Sequence, residues 1–92
     1  MDTTKIWSLS FHKSFEKKFS RLSHAEQKRI LEFLEYRVLK HENPKKLAKS
    51  LSGNLTGYWR FRVGDYRIIA DIQEDTCIII AIDVGHRREI YS

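Results

Sequence analysis

One cysteine, one proline and four glycines are all that 92 residues contain of these types. A lone thiol cannot close an internal disulfide, so packing must hold the fold. Cys77, set against an isoleucine run, reads as a core residue in a chain suited to a reducing compartment. So little proline and glycine excludes collagen-like and linker-like chains. No apolar run approaches the ~18 residues that a membrane helix needs. Met1-Asp2-Thr3-Thr4-Lys5, followed directly by Ile6-Trp7, lacks the apolar stretch of a secretory leader. The expectation is a cytoplasmic protein with no membrane partner. Histidine and cysteine do not cluster and carboxylates do not converge, so neither a metal site nor a cofactor is expected.

What the chain does contain is charge and a moderate apolar fraction, 32% and 41% of residues. That is the composition of one globular domain over residues 1–92, with room for a single core. Seventeen Lys and Arg against twelve Asp and Glu leave a net charge of +5. A small basic domain is drawn to polyanions, and the placement of the arginines decides whether that attraction has a site.

Periodicity supplies the elements. Residues 5–11 alternate, with Trp7, Leu9 and Phe11 on one side, as a half-buried strand does. Phe15, Phe19 and Leu22 then mark a short amphipathic helix. Ser23-His24-Ala25-Glu26 has the form of a capping box opening a second helix, and its apolar stripe runs to about Lys40. Pro44 keeps Asn43 out of the helical region. Residues 45–55 read as a lysine-bearing connector. Tyr58–Val63 and Tyr66–Gln73 read as strands joined by the two-residue turn Gly64-Asp65. A three-residue turn at 74–76 leads to Cys77–Val84, apolar on both faces and therefore central. The order β-α-α-β-β-β predicts an α+β domain, a two-helix hairpin on one face of a small, mostly antiparallel twisted sheet.

Alternation sorts the strand residues by face. Trp59, Phe61, Val63, Tyr66, Ile68 and Ala70 form an apolar face turned to the helices, and Arg60, Arg62 and Arg67 share the other. With a two-residue turn, Arg62 pairs with Arg67, although like charges opposed on a ladder are unfavourable. On a three-residue turn at 74–76, Asp83 faces Arg67, and Asp71 faces Tyr58. Two acids cannot satisfy three guanidinium forks. The arrangement is either a solvated face with partial pairing or a preorganised phosphate cradle, for which the planar fork is well suited. Beyond Gly85, His86, Arg87 and Tyr91 follow the central strand. Cations with a histidine and a tyrosine are the parts of a metal-free ribonuclease.

Gly57-Tyr58-Trp59-Arg60-Phe61-Arg62-Val63-Gly64-Asp65-Tyr66-Arg67, then Asp83-Val84-Gly85-His86-Arg87, then Tyr91, resembles the RelE branch of the RelE/ParE toxin superfamily. The resemblance spans nearly the whole chain. It implies a toxin of a type II toxin–antitoxin pair, neutralised by a co-encoded RelB-like antitoxin, the complex also being a candidate for operator DNA. It implies ribosome-dependent cleavage of mRNA by attack of the 2′-OH, leaving a 2′,3′-cyclic phosphate. Carried onto this chain, the family site implies basic groups at Arg60 and Arg62, a transition-state arginine at Arg67, a phosphate-binding arginine at Arg87, and a tyrosine at Tyr91 that stacks on or activates the substrate.

Two departures from the family pattern matter. Arginines stand where the best-studied pattern has lysines, and a guanidinium cannot serve as a general base. Proton transfer then falls to another group: His86, the side chain whose ordinary pKa suits it, with Tyr91 stacking or orienting, or Tyr91 itself if the surrounding cations lower its pKa. The chain also ends at Ser92, so no further helix is expected to cover the site. Lys40, Lys45, Lys46 and Lys49 are either a solvated face or contacts to RNA backbone. Two rivals remain. A ParE-like inhibitor of DNA gyrase shares the fold, but that branch generally lacks the combined Arg67, Arg87 and Tyr91 set. A noncatalytic nucleic-acid-binding module could use the same basic face.

Overall fold

The computed structural model describes residues 6–90. Strand β1, Ser8–Phe11, leads to helix α1, Lys13–Phe19, whose first turn is capped by the His12 side chain accepting from the Ser14 N–H. Phe11, Phe15 and Phe19 stack in series, with ring centroids 5.2 and 5.3 Å apart. Helix α2, His24–Glu32, starts at the expected capping box. Ser23 accepts from the Glu26 N–H, and Glu26 reaches back to the Ser23 N–H. Its continuation differs from expectation: Phe33–Val38 is wound as a π-helical turn rather than regular α-helix, ending with Leu39 N–H on the Leu34 carbonyl at 3.0 Å.

After Pro44–Leu47, a 3₁₀ turn, the expected connector contains a short strand, β2, Lys49–Ser50. Strands β3, Trp59–Val63, β4, Tyr66–Gln73, and β5, Ile78–His86, complete a five-stranded sheet in the order β1-β5-β4-β3-β2. The β1–β5 pair is parallel and the other pairs are antiparallel. Phe15 of α1, Ile30 of α2 and Leu34 of the π-helical turn that continues it join Phe61, Ile68, Ile79 and Val84 in one core, so both helices cover the same sheet face, as expected. β1 leaves β5 unpaired beyond Ala81, and α1 covers that edge. The His12 N–H donates to the Ala81 carbonyl, and the Ser14 hydroxyl to that of Ile82. No helix among the described residues is long and apolar enough to cross a membrane.

The β3–β4 register matches expectation pair for pair: Arg60 opposes Ile69, Phe61 opposes Ile68, Arg62 opposes Arg67 and Val63 opposes Tyr66. Gly64, at φ +60, takes the left-handed position that a tight hairpin needs. The β4–β5 register does not match. Cys77 adopts φ 54 and joins the turn, so Gln73 pairs with Ile78 instead of Cys77. A bulge then admits Ile82 as an extra residue between the pairs Ala70–Ala81 and Ile69–Asp83. Each irregularity shifts the register by one residue. Between them residues 78–81 exchange faces relative to β4; beyond the bulge the expected faces return, with Asp83 moved from opposite Arg67 to opposite Ile69.

Candidate functional site

Arg60, Arg62 and Arg67 share the sheet face away from the helices because they alternate with the buried Phe61, Val63 and Ile68. Lys49 of β2 pairs with Arg60 and adds a fourth cation to that face. With Lys46, Leu47 and Ala48 these side chains line a cleft of about 440 Å³. Gly85 stands opposite Arg67, so β5 brings no side chain there. The two acids expected to neutralise this face are occupied elsewhere. Asp83 pairs with Lys18 at 2.9 Å, and Asp71 accepts from the Gln73 amide at 3.0 Å. Among the described residues, no carboxylate forms an ion pair with Arg60, Arg62 or Arg67.

Arg87 begins a short helical turn, α3, Arg87–Ile90, directly after β5. Its N–H donates to the Asp65 carbonyl at 2.7 Å, and its Nε lies 4.0 Å from the Asp65 carboxylate. The Arg67 guanidinium donates through Nη1 to the carbonyls of Gly64 and Tyr66, at 3.1 and 3.0 Å. Burial, then the charges of Arg62, Arg60 and Arg87, pull Arg67 below the ordinary arginine value, with Asp65 partly offsetting them. It remains a cation at any useful pH. The energetic sense of the shift is that positive charge is crowded at Arg67, and an anion entering the cleft would relieve it.

The remaining expected site residues divide. Lys46 and Lys49 belong to the cleft. Lys45 is engaged by Glu74 at 2.8 Å and lies over the Trp59 ring, and Lys40 lies over the Tyr36 ring. His86 pairs with Tyr66 across the β4–β5 ladder, and their rings meet edge to face at 5.7 Å. Because Tyr66 faces α2, where its hydroxyl donates to Glu26, His86 lies on the helix side of the sheet and not in the arginine cleft. Its Nδ1 accepts from the Arg88 N–H at 3.2 Å. Tyr91 lies outside the described residues. Sequence reasoning missed the contribution of Glu26 and Arg29 at the hairpin tip, where Arg29 packs on Gly64. No local motif announces a helix residue reaching a hairpin 35 or more positions away.

Residues 6–91 match the family model described as the ParE toxin of type II toxin–antitoxin systems. The chain belongs to the RelE/ParE superfamily of type II toxins. Among solved structures, it is similar to a chain of the RelBE2 toxin–antitoxin complex of Mycobacterium tuberculosis, with a TM-score of 0.82 at 20% identity, covering 90% of this chain and 100% of that one. It is 33% identical to a chain of the RelB–RelE antitoxin–toxin complex of Methanococcus jannaschii, with a TM-score of 0.63 and coverage of 90% and 95%. A chain of the archaeal RelE–RelB complex of Pyrococcus horikoshii is 29% identical, with a TM-score of 0.66 and coverage of 90% and 97%. No curated protein is similar to the chain in sequence. The toxin therefore combines a family model described by its ParE members with structural neighbours that include chains of RelE complexes.

Proposed function

We propose that this toxin is an endoribonuclease of the RelE type, which cuts mRNA on the ribosome and is neutralised by a RelB-like antitoxin. The observation that carries this reading is the gathering of Arg60, Arg62 and Arg67 in one cleft, with Arg87 near enough to act on Arg67, while Asp83 and Asp71 are engaged elsewhere and only Asp65 stands close to these cations. Single-stranded RNA fits such a surface because its phosphates are regularly spaced and each guanidinium can donate two parallel bonds. In the reaction, the substrate 2′-oxygen bonds to phosphorus, the phosphorus–O5′ bond breaks, and a 2′,3′-cyclic phosphate and a 5′-hydroxyl result. Negative charge grows on the non-bridging oxygens at the phosphorane. Fixed donors aimed at that charge are worth more in the transition state than in the ground state. Arg67 and Arg87 are assigned this role, with Arg60, Arg62, Lys46 and Lys49 aligning the backbone.

The 2′-OH proton must leave and the O5′ must receive one. No arginine in the cleft can take the first, and His86 stands behind the sheet. This part of the chemistry is therefore assigned to Tyr91 or to groups of the ribosome, rather than to His86 acting from within the cleft.

The test is expression without the antitoxin. Wild type is expected to arrest growth and translation. Arg67→Ala and Arg87→Ala should be tolerated, each lowering cleavage on the order of 10²- to 10³-fold. A second reading, inhibition of DNA gyrase, is favoured by the description of the matching family model. Inhibition of supercoiling with message left intact would establish that reading and overturn the nuclease.

A further inference from the structure

The proposed chemistry uses only one side of the β3–β4 hairpin tip. On that side, residues 64–66 supply backbone carbonyls to both transition-state arginines. The Gly64 and Tyr66 carbonyls accept from Arg67, and the Asp65 carbonyl accepts from the Arg87 N–H. Such a tip is the part of a hairpin most free to move.

Here α2 holds the reverse side. Glu26 divides its carboxylate between two tasks. Oε1 closes the capping box, accepting from the Ser23 N–H and hydroxyl at 3.3 and 3.1 Å, while Oε2 accepts from the Tyr66 hydroxyl. Tyr66 in turn meets the His86 ring, one residue before Arg87. Three positions on from Glu26, and so on the same helix face, Arg29 lies over Gly64. A Cβ built there would stand 2.8–2.9 Å from its guanidinium atoms. Two of the three tip residues, together with the residue preceding Arg87, are thus in contact with α2 or with each other.

We infer that Glu26 and Arg29 are positioning residues: acting through Gly64, Tyr66 and His86, they hold the hairpin tip so that Arg67 and Arg87 converge on one phosphate. The consequence for cleavage rests on the nuclease reading above, whereas the clamp itself is a property of the protein alone. A displacement of about 1 Å at a reacting group can cost ~10²-fold in rate. Attraction to the RNA backbone is long-ranged and shared by several cations, so it tolerates such a shift. Loosening the clamp should therefore lower the single-turnover rate and leave RNA affinity nearly unchanged. It also gives His86 a task, as the wedge beneath Arg87.

Tyr66→Phe is the decisive variant, because it keeps the ring on His86 and leaves the capping box intact. Glu26→Ala and Glu26→Gln complete the set, since an amide oxygen can still accept from Tyr66. Side-chain Nε–H resonances of Arg67 and Arg87 are followed by NMR in the isolated toxin, and single-turnover cleavage in a translating extract. Tyr66→Phe and Glu26→Ala are expected to move both arginine resonances and to slow cleavage by about tenfold or more at unchanged RNA affinity, with Glu26→Gln largely restoring both. In an Arg87→Ala background, Tyr66→Phe should cost much less than in the wild type. Unmoved arginine resonances in folded Tyr66→Phe would overturn the clamp, as would a full rate loss from Tyr66→Phe in the Arg87→Ala background. A wild-type protein that cleaves no RNA would instead overturn the nuclease reading, and the resonances would still decide the clamp.

Discussion

Arg67 is a cation placed where cations are disfavoured, half-buried and opposite Arg62 across the ladder, with Arg60 and Arg87 near enough to depress its pKa. Selection for stability alone would put an acid or a neutral residue at one of these positions. Around this centre the lysines fall into two kinds, and the difference is measurable. Lys46 and Lys49 line the cleft, whereas Lys45 is paired with Glu74 and Lys40 lies over Tyr36. Each phosphate contact on a single strand contributes about 0.7 to the slope of log affinity against log salt. Lys46→Ala and Lys49→Ala are each expected to reduce that slope by about this amount on single-stranded RNA, with Lys40→Ala and Lys45→Ala leaving it unchanged. Equal effects at all four positions would mean that the cleft has no special part in binding. Sequence alone could not divide these lysines, because the division depends on β2 pairing with β3 and on where Glu74 lies.

The contact between helix α2 and the hairpin can be read through pH. The Glu26 carboxyl is held below the usual glutamate range, chiefly by the Tyr66 hydroxyl; burial opposes this as the next largest effect, and Ser23 and the charge of His86 add smaller lowering contributions. An acid whose folded pKa is lowered adds stability that is present above its unfolded pKa and disappears as pH falls through its folded pKa. The gap in thermal midpoint between wild type and Glu26→Gln should therefore be constant near neutrality and close as pH falls below about 4. A gap that persists unchanged into acid would remove the carboxylate from this contact.

Elements were legible in the chain where periodicity was long and turn chemistry plain. The capping box at Ser23, the Gly64-Asp65 turn and the β3–β4 register all stand as read. β5 was not legible in register, because a left-handed Cys77 and the bulge at Ile82 leave no mark on alternation. The single shift before the bulge reverses the faces of residues 78–81, and the second restores them beyond Ile82, so Asp83 kept its face while moving about 7 Å along the strand. The side of His86, by contrast, could have been read, since it shares parity with the core residue Val84. The π-helical turn at Phe33–Val38 also has no signature in the apolar stripe, which a wider turn changes only slightly.

For the molecule as a whole, a net charge of +5 becomes a site because the fold sorts it. The helices and the core take one sheet face, and the cations are left concentrated on the other. Membership of the toxin superfamily follows from the match over residues 6–91, and RNA cleavage is the chemistry we propose for this distribution of charge. Primer extension on a defined message in a translating extract tests that claim most directly, with wild-type toxin compared with Arg67→Ala. Codon-phased cuts that vanish both in the variant and when the start codon is removed are the predicted result. An intact message in the presence of toxin that has stopped growth would contradict it.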